Sequence, residues 1–303
     1  DVARAVKAEF PDIHCVVLTP FSHGITKRIQ NEDLSIFDYV FCWLGNTNLI
    51  LSIIKLMEDK MNIDNDIHEV GVQMILLVED SIRFYSSILP NLYSYILTQS
   101  QNFATEALTR HEASLRQRGR PKVVLARTYE EAWEIYQRYK DNCLGVISDV
   151  RFPINNVEDK DSSATEGNIP VSEKDPEAGL KLLRAIRKED EYLPLIIESS
   201  ESENRKKAEA EGFHFVDKNS KKMSVDLRRL LEEHMGFGDF IFRNPKTHEE
   251  VMRVRNLKEL QDNIFKIPRD SMLYHISRNH MSRWLSARAI FPVSSFLKGI
   301  TWH

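Results

Sequence analysis

The chain has 303 residues, 42% hydrophobic and 28% charged, with 41 lysines and arginines against 45 aspartates and glutamates for a net charge of -4. That composition describes an ordinary globular protein of two or three domains and excludes fibres and wholly disordered chains, while the slight acidity excludes a general attraction to nucleic acid or anionic membrane. Cys15, Cys42 and Cys143 form no CxxC pair, which argues against a disulfide framework or a zinc site and for a reducing compartment. No apolar run reaches membrane-spanning length and no signal peptide opens the chain, so a cytoplasmic protein is expected.

In chain order, residues 1–10 read as a helix already under way, so the sequence is expected to be a piece of something longer. "CVVLTP" and "FDYVFCWL" read as strands and residues 46–61 as a helix; the stretch 16–46 is echoed at 195–222. From residue 72 the alternation becomes regular. Apolar runs at 72–78, 122–126, 144–148, 193–197 and 212–216 predict five strands. Between them lie helical patterns: Ile82, Tyr85, Leu89, Leu92 and Ile96 step by threes and fours, as do "YEEAWEIYQRY", "AGLKLLRAI" and "VDLRRLLEEHM". The first of these continues through Phe103, Leu108 and Leu115, predicting one helix of about 30 residues, bent at Pro90, whose far end packs on the preceding unit or on a second subunit. Strands apolar nearly throughout, separated by helices, predict an α/β fold with a doubly wound five-stranded parallel sheet and a ligand site at the carboxyl ends of its strands.

Beyond about residue 236, "FGDFIFRNPKTHEEVMRVRN" predicts two strands around an Asn-Pro turn, followed by a helix capped by Asn256. A further helix is expected from Asp270 or Ser271, with Leu273, Ile276, Trp284, Leu285 and Ala289 on its apolar side. Its other side carries His275, Arg278, His280, Arg283 and Arg288, read as a solvated basic face rather than an anion site. Five-residue spacing separates His275 from His280 on a continuous helix, so no metal site is expected there.

Acids collect where the predicted strands end. The first runs into Glu79 and Asp80, the third into Asp149, the fourth into Ser199 and Ser200, and the fifth into Asp217 and Lys218. Converging carboxylates need a cation, and hard oxygen donors suit Mg²⁺. Carboxylates, a hydroxyl and a lysine around such a cation are what capture of a phosphoryl group on an aspartate requires.

Through "LLVEDS", "GVISDVRFP", "LPLIIESS" and "FHFVDKNS", residues 72–235 resemble a response-regulator receiver domain. The resemblance implies Asp149 as phosphoacceptor, Glu79 and Asp80 as the acid pocket, and the Arg151 backbone carbonyl as a further Mg²⁺ ligand. It also implies Ser199 as switch hydroxyl, Phe215 as rotating aromatic and Lys218 as the partner of the phosphoryl group. Asn219 departs from the pattern, standing where the family has a proline, and the insertion after Asp149 predicts a mobile flap. The opening stretch then reads as a divergent copy with Thr19 at the hydroxyl position and Cys42 or Trp43 at the lysine position, hence unable to hold a phosphoryl group.

Residues 1–70 are accordingly expected to be the C-terminal half of a degenerate receiver-like domain, 71–235 a receiver, and 236–303 a small α+β region leading into a missing C-terminal part. "GRPKVVLARTYEEA", "FGDFIFRNP" and "YHISRNHMSRWLSARAIFP" extend the resemblance to the N-terminal regulatory region of bacterial phosphoenolpyruvate-synthase-like proteins. What this implies is a phosphoacceptor that regulates an attached catalytic part and is not itself a catalyst. Its expected partners are a histidine kinase or small phosphodonor, those catalytic domains and, through the long helix, a second copy. Two other classes compete. One is a pseudo-receiver scaffold; the other, a phosphatase or transferase, lacks a second acid beside Asp149 to activate water.

Overall fold

Each strand of the main sheet sends alternate apolar residues to opposite faces, and that alternation organises the molecule. The structure is a computed structural model and describes residues 2–20, 36–154 and 174–299. It opens with helix α1 (Val2–Glu9), strands β1 (Val16–Pro20) and β2 (Tyr39–Trp43), and helix α2 (Asn48–Asn65), which runs into a π-turn ended by Gly71 at φ 83°. Then follow β3 (Met74–Val78), α3 (Ile82–Thr105), α4 (Arg110–Arg118), β4 (Lys122–Ala126), α5 (Tyr129–Tyr139), β5 (Cys143–Asp149) and α6 (Ala178–Glu189). Next come β6 (Leu195–Ser199), α7 (Glu203–Ala210), β7 (His214–Asp217) and α8 (Met223–His234). The chain continues as β8 (Phe240–Arg243), β9 (Glu250–Val254), α9 (Leu257–Asn263), α10 (Arg269–Ser277), α11 (His280–Ala287) and α12 (Phe291–Lys298).

The main sheet is all parallel in the order β4-β3-β5-β6-β7. Numbered within the unit this is 2-1-3-4-5, compatible with a flavodoxin-like doubly wound fold whose crevice lies beyond the carboxyl ends of the strands. Ile75, Leu77, Ile147, Ile196 and Val216 face a core shared with α3 and α8. Met74, Leu76, Val78, Val146, Leu195 and Ile197 face the opposite core, built with α5 and α6. Each such side chain, fully buried, contributes about 1.5–3 kcal/mol.

The first unit docks on this sheet through α2 and α3. β1 and β2 pair in parallel, Val16 with Tyr39 through Pro20 with Trp43. The free edge of β2 is satisfied by side chains of α3: the Tyr85 hydroxyl donates to the Val40 carbonyl, and the Ser86 hydroxyl accepts from the Cys42 amide at 3.0 Å. Asp59 of α2 is fully buried, held by both guanidinium arms of Arg120 at 2.7 and 3.1 Å, by the Tyr93 hydroxyl at 2.8 Å and by the Val123 amide at 2.9 Å. The opposite side of α2 leaves Ile50, Leu51, Ile54 and Met61 exposed.

Two expected helices are shorter than predicted. α3 stops at Thr105; the Thr109 hydroxyl then accepts the Glu112 amide, and the Glu112 carboxylate accepts the Leu108 amide, a capping box that starts α4 afresh. Phe103 is buried at the end of α3 while Leu108, 94% exposed, lies at the turn, so the apolar stepping does not mark one long packed helix. The predicted basic helix likewise divides at Asn279, left-handed at φ 58°, into α10 and α11. Its first half is preceded by Pro268 rather than by an Asp270 or Ser271 cap. β8 and β9 form the expected antiparallel hairpin, and Asn256 caps α9 by accepting the Glu259 amide at 2.8 Å. Among the described residues no helix is long and apolar enough to cross a membrane.

Candidate functional site

At the carboxyl edge of the main sheet, β3 ends in Glu79 and Asp80, β5 in Asp149, and β7 delivers Lys218 one residue past its last pairing. Oxygens of Glu79, Asp80 and Asp149 lie within 4.8 Å of one another. Lys218, 9% exposed, bonds the Glu79 carboxylate and reaches an Asp149 oxygen at 2.7 Å, its ammonium resting 4.4 Å from the centre of the Phe84 ring. Lys174, where the chain returns from the insertion, reaches Asp80 at 2.6 Å. The base of the insertion is pinched by the Asp175 amide donating to the Phe152 carbonyl at 3.2 Å; the expected flap itself, at 155–173, lies outside the described residues.

Burial raises the Glu79 carboxyl well above its ordinary range against the pull of Lys218, and burial also raises Asp80, whose Lys174 partner opposes the shift. Burial draws Lys218 down, but the carboxyls of Glu198, Glu79 and Asp149 outweigh it and hold the ammonium above its ordinary value. Sequence reading missed Glu198. It sits beside Asp149 in the strand register and is fully buried, its carboxyl within reach of that of Glu79, and neither of its oxygens makes a well-formed hydrogen bond among the described residues. Burial pushes it up to about 7, with Lys218 opposing the shift and Asp149 adding to it. Four carboxyl groups thus share two lysines, and one oxygen of Asp80 is also buried without a partner. A hard, oxygen-only donor set with orphaned oxygens fits a small divalent cation.

Ser199, at the end of β6, is buried, and its hydroxyl accepts from the Glu201 amide at 3.1 Å and from the Asn204 side chain at 2.9 Å. It is therefore turned toward the start of α7. Phe215 is half-buried with the Arg205 guanidinium 4.7 Å from its ring centre. Arg151 follows Asp149 by two residues and its side chain pairs with Glu201 at 3.1 Å. Asn219, in place of a proline, ties the loop with side-chain bonds: its amide donates to Asp217 at 2.8 Å and its side chain to the Ser200 carbonyl at 3.1 Å. In the first unit, Thr19 donates to the Pro20 carbonyl at 3.2 Å, Cys42 is buried and Trp43 is exposed.

The basic side of the C-terminal region is not a solvated face. His275, Arg283 and Arg288 are 5%, 6% and 2% exposed. Because the chain reverses at Asn279, His275 and His280 meet with their Nδ1 atoms 3.0 Å apart, which a continuous helix would forbid. Comparison with protein-family models, with curated proteins and with solved structures found no significant match to the chain.

Proposed function

We propose that the central unit is a phosphoacceptor of the receiver type, with Asp149 as acceptor, Mg²⁺ as cofactor, and regulation of an attached phosphoenolpyruvate-synthase-like catalytic part as its output. One observation carries the reading: the Lys218 ammonium, 2.7 Å from Asp149 and bonded to Glu79, at the carboxyl edge of a 2-1-3-4-5 parallel sheet. An Asp149 oxygen attacks the phosphorus of a donor such as acetyl phosphate; the new O–P bond forms as the bond to the acetate oxygen breaks, and acetate leaves with the electron pair. Lys218 transfers its N–H donors from the carboxylate to the phosphoryl oxygens. Ser199 then exchanges its bonds to Glu201 and Asn204 for one to the phosphoryl group, and Phe215 turns into the space vacated, changing the face made by α7 and β7. Glu79, Asp80, Asp149 and the Arg151 carbonyl would hold Mg²⁺, which would supply neutralisation of the phosphoryl charge.

The scaffold reading is favoured by a different observation: Lys218 and Lys174 already pair with the site carboxylates, as in a static ion-pair network. Mass spectrometry after acetyl phosphate treatment separates the two. Labelling of the wild type with Mg²⁺, none in EDTA and none in Asp149→Asn supports phosphotransfer. Equal labelling of both proteins, or none in the wild type at saturating Mg²⁺, leaves the scaffold.

A further inference from the structure

A cavity of about 1020 Å³ opens where the C-terminal unit meets the main sheet, at the opposite edge from Asp149. Its walls come from the residues leading into β6 and β7, the end of α8, the β8–β9 hairpin and helices α10 and α11. Arg187, Arg243, Arg283 and Arg288 line it, and none has a carboxylate within ion-pair distance among the described residues. Among the described residues the Arg283 guanidinium makes a single hydrogen bond, to the Tyr192 carbonyl at 3.0 Å, and it also borders a smaller cavity of about 230 Å³ beside Lys298. The Arg288 guanidinium lies 3.8 and 4.2 Å from the ring centres of Trp284 and Phe103 and, among the described residues, donates only to the backbone carbonyls of Gly236, Gly238 and Trp284. Burial lowers these two guanidinium groups to about 10 and about 9, and Asp190, Glu106 and Asp239 oppose that shift without forming ion pairs to them.

The acids of the cavity are engaged elsewhere or stand apart. Glu232 accepts from Tyr95, Glu233 pairs with Arg229, Asp239 pairs with Arg253, and Glu191 is on the exposed rim. Glu106 is raised by burial, which weakens it as a counter-charge. The histidines add donors without adding charge. The Arg243 amide donates to Nε2 of His275 at 2.9 Å, so the His275 proton sits on Nδ1 and is given to Nδ1 of His280, which places the His280 proton on Nε2. Arg283, Arg278, His275 and His234 all surround that ring. Buried cations without ion-pair partners among the described residues, beside neutral N–H donors and a volume at the upper end for small ligands, constitute an electrostatic deficit that an anion would fill.

We propose that this cavity binds a small phosphate-bearing anion through Arg283, Arg243 and His280, with the charge of Arg288 behind them. The inference is independent of chemistry at Asp149, and its test is run where that chemistry is absent. Titration calorimetry of the full chain carrying Asp149→Asn, in EDTA, with inorganic phosphate and with pyrophosphate, should give saturable binding, weaker for sulfate. Arg283→Met should reduce the affinity by at least about tenfold, the effect of losing a charged hydrogen bond. Arg243→Gln, at the half-exposed rim, should reduce it several-fold with no change in melting temperature, and carries the test if Arg283→Met does not fold. Absence of saturable binding up to about 10 mM of either anion, sulfate binding as tightly as phosphate, or unchanged affinity in Arg243→Gln together with unchanged affinity or misfolding in Arg283→Met, would overturn the proposal.

Discussion

Gly179 occupies the first turn of α6 with its backbone against the end of β5, its amide donating to the Val150 carbonyl at 3.0 Å. A Cβ at that position would stand 1.9 Å from the Asp149 carbonyl oxygen. No rotamer relieves such a contact, so either the helix or the aspartate backbone must move. Gly179→Ala is expected to destabilise the protein by about 1–3 kcal/mol in urea unfolding and to lower labelling of Asp149 by acetyl phosphate; unchanged labelling would show that α6 does not set the position of the acceptor. The acids at strand ends and Lys218 were legible in sequence because each interrupts an apolar run where it leaves the sheet. Glu198 closes the run 193–197 in the same way and was passed over for the hydroxyls of Ser199 and Ser200 beside it; its complete burial depends on neighbours from other strands and has no sequence signal. Lys174 was hidden in a polar insertion where a lysine carries no signal, and the Gly179 contact is tertiary.

Elements were legible in type but not always in extent. Apolar stepping counts residues without registering a change of direction, so α3 and α4, and likewise α10 and α11, read as single helices. Thr109 and Glu112, three apart, were a visible capping signature at the first break; the second rests on one left-handed asparagine, which has no periodic signature. That second break brings His275 and His280 together in the cavity that the stacked His214 and His234 also line, and these four rings carry a pH dependence. Burial, then cationic neighbours, lower His214, His234 and His275 to about 4 and His280 to about 3, from 6.5. Since the folded values lie below the unfolded one, the stability these groups contribute is complete above pH 6.5 and is lost as pH falls toward 4 and 3. Glu198, raised to about 7, acts in the opposite sense, gaining as pH falls below 7, and so do Glu79, Asp80 and Glu106, which burial also raises. The two sets oppose each other, so the histidine contribution is read as a difference: from pH 7 to pH 5 the urea midpoint of His280→Gln should lose less, or gain more, than that of the wild type. A difference between the two midpoints that stays constant across this interval would contradict the assignment of a neutral, buried imidazole at His280.

For the molecule as a whole, five parallel strands followed from regular alternation of apolar runs and helices, whereas their order in the sheet and the docking of the first unit had no signal in that alternation. Asp59, in "LMEDKMN", looks like any charge on a solvated helix; only the fold brings Arg120, Tyr93 and Val123 around it. Asp59→Ala leaves Lys122 its Asp66 partner at 2.6 Å but leaves Arg120, 5% exposed, with only Glu58 at 3.7 Å as counter-charge among the described residues, and the Tyr93 hydroxyl and Val123 amide without their acceptor, and should cost about 3–5 kcal/mol in denaturant unfolding. A loss below about 1 kcal/mol would mean that the first unit docks by apolar contact alone. The same carboxylate does something for the sheet. β4 is an edge strand, and the Val123 amide, which on an open edge would trade its proton with solvent, is closed by a side chain from a different unit. Hydrogen exchange at that one amide therefore clocks the opening of the first unit from the sheet, even when every strand of the sheet remains paired.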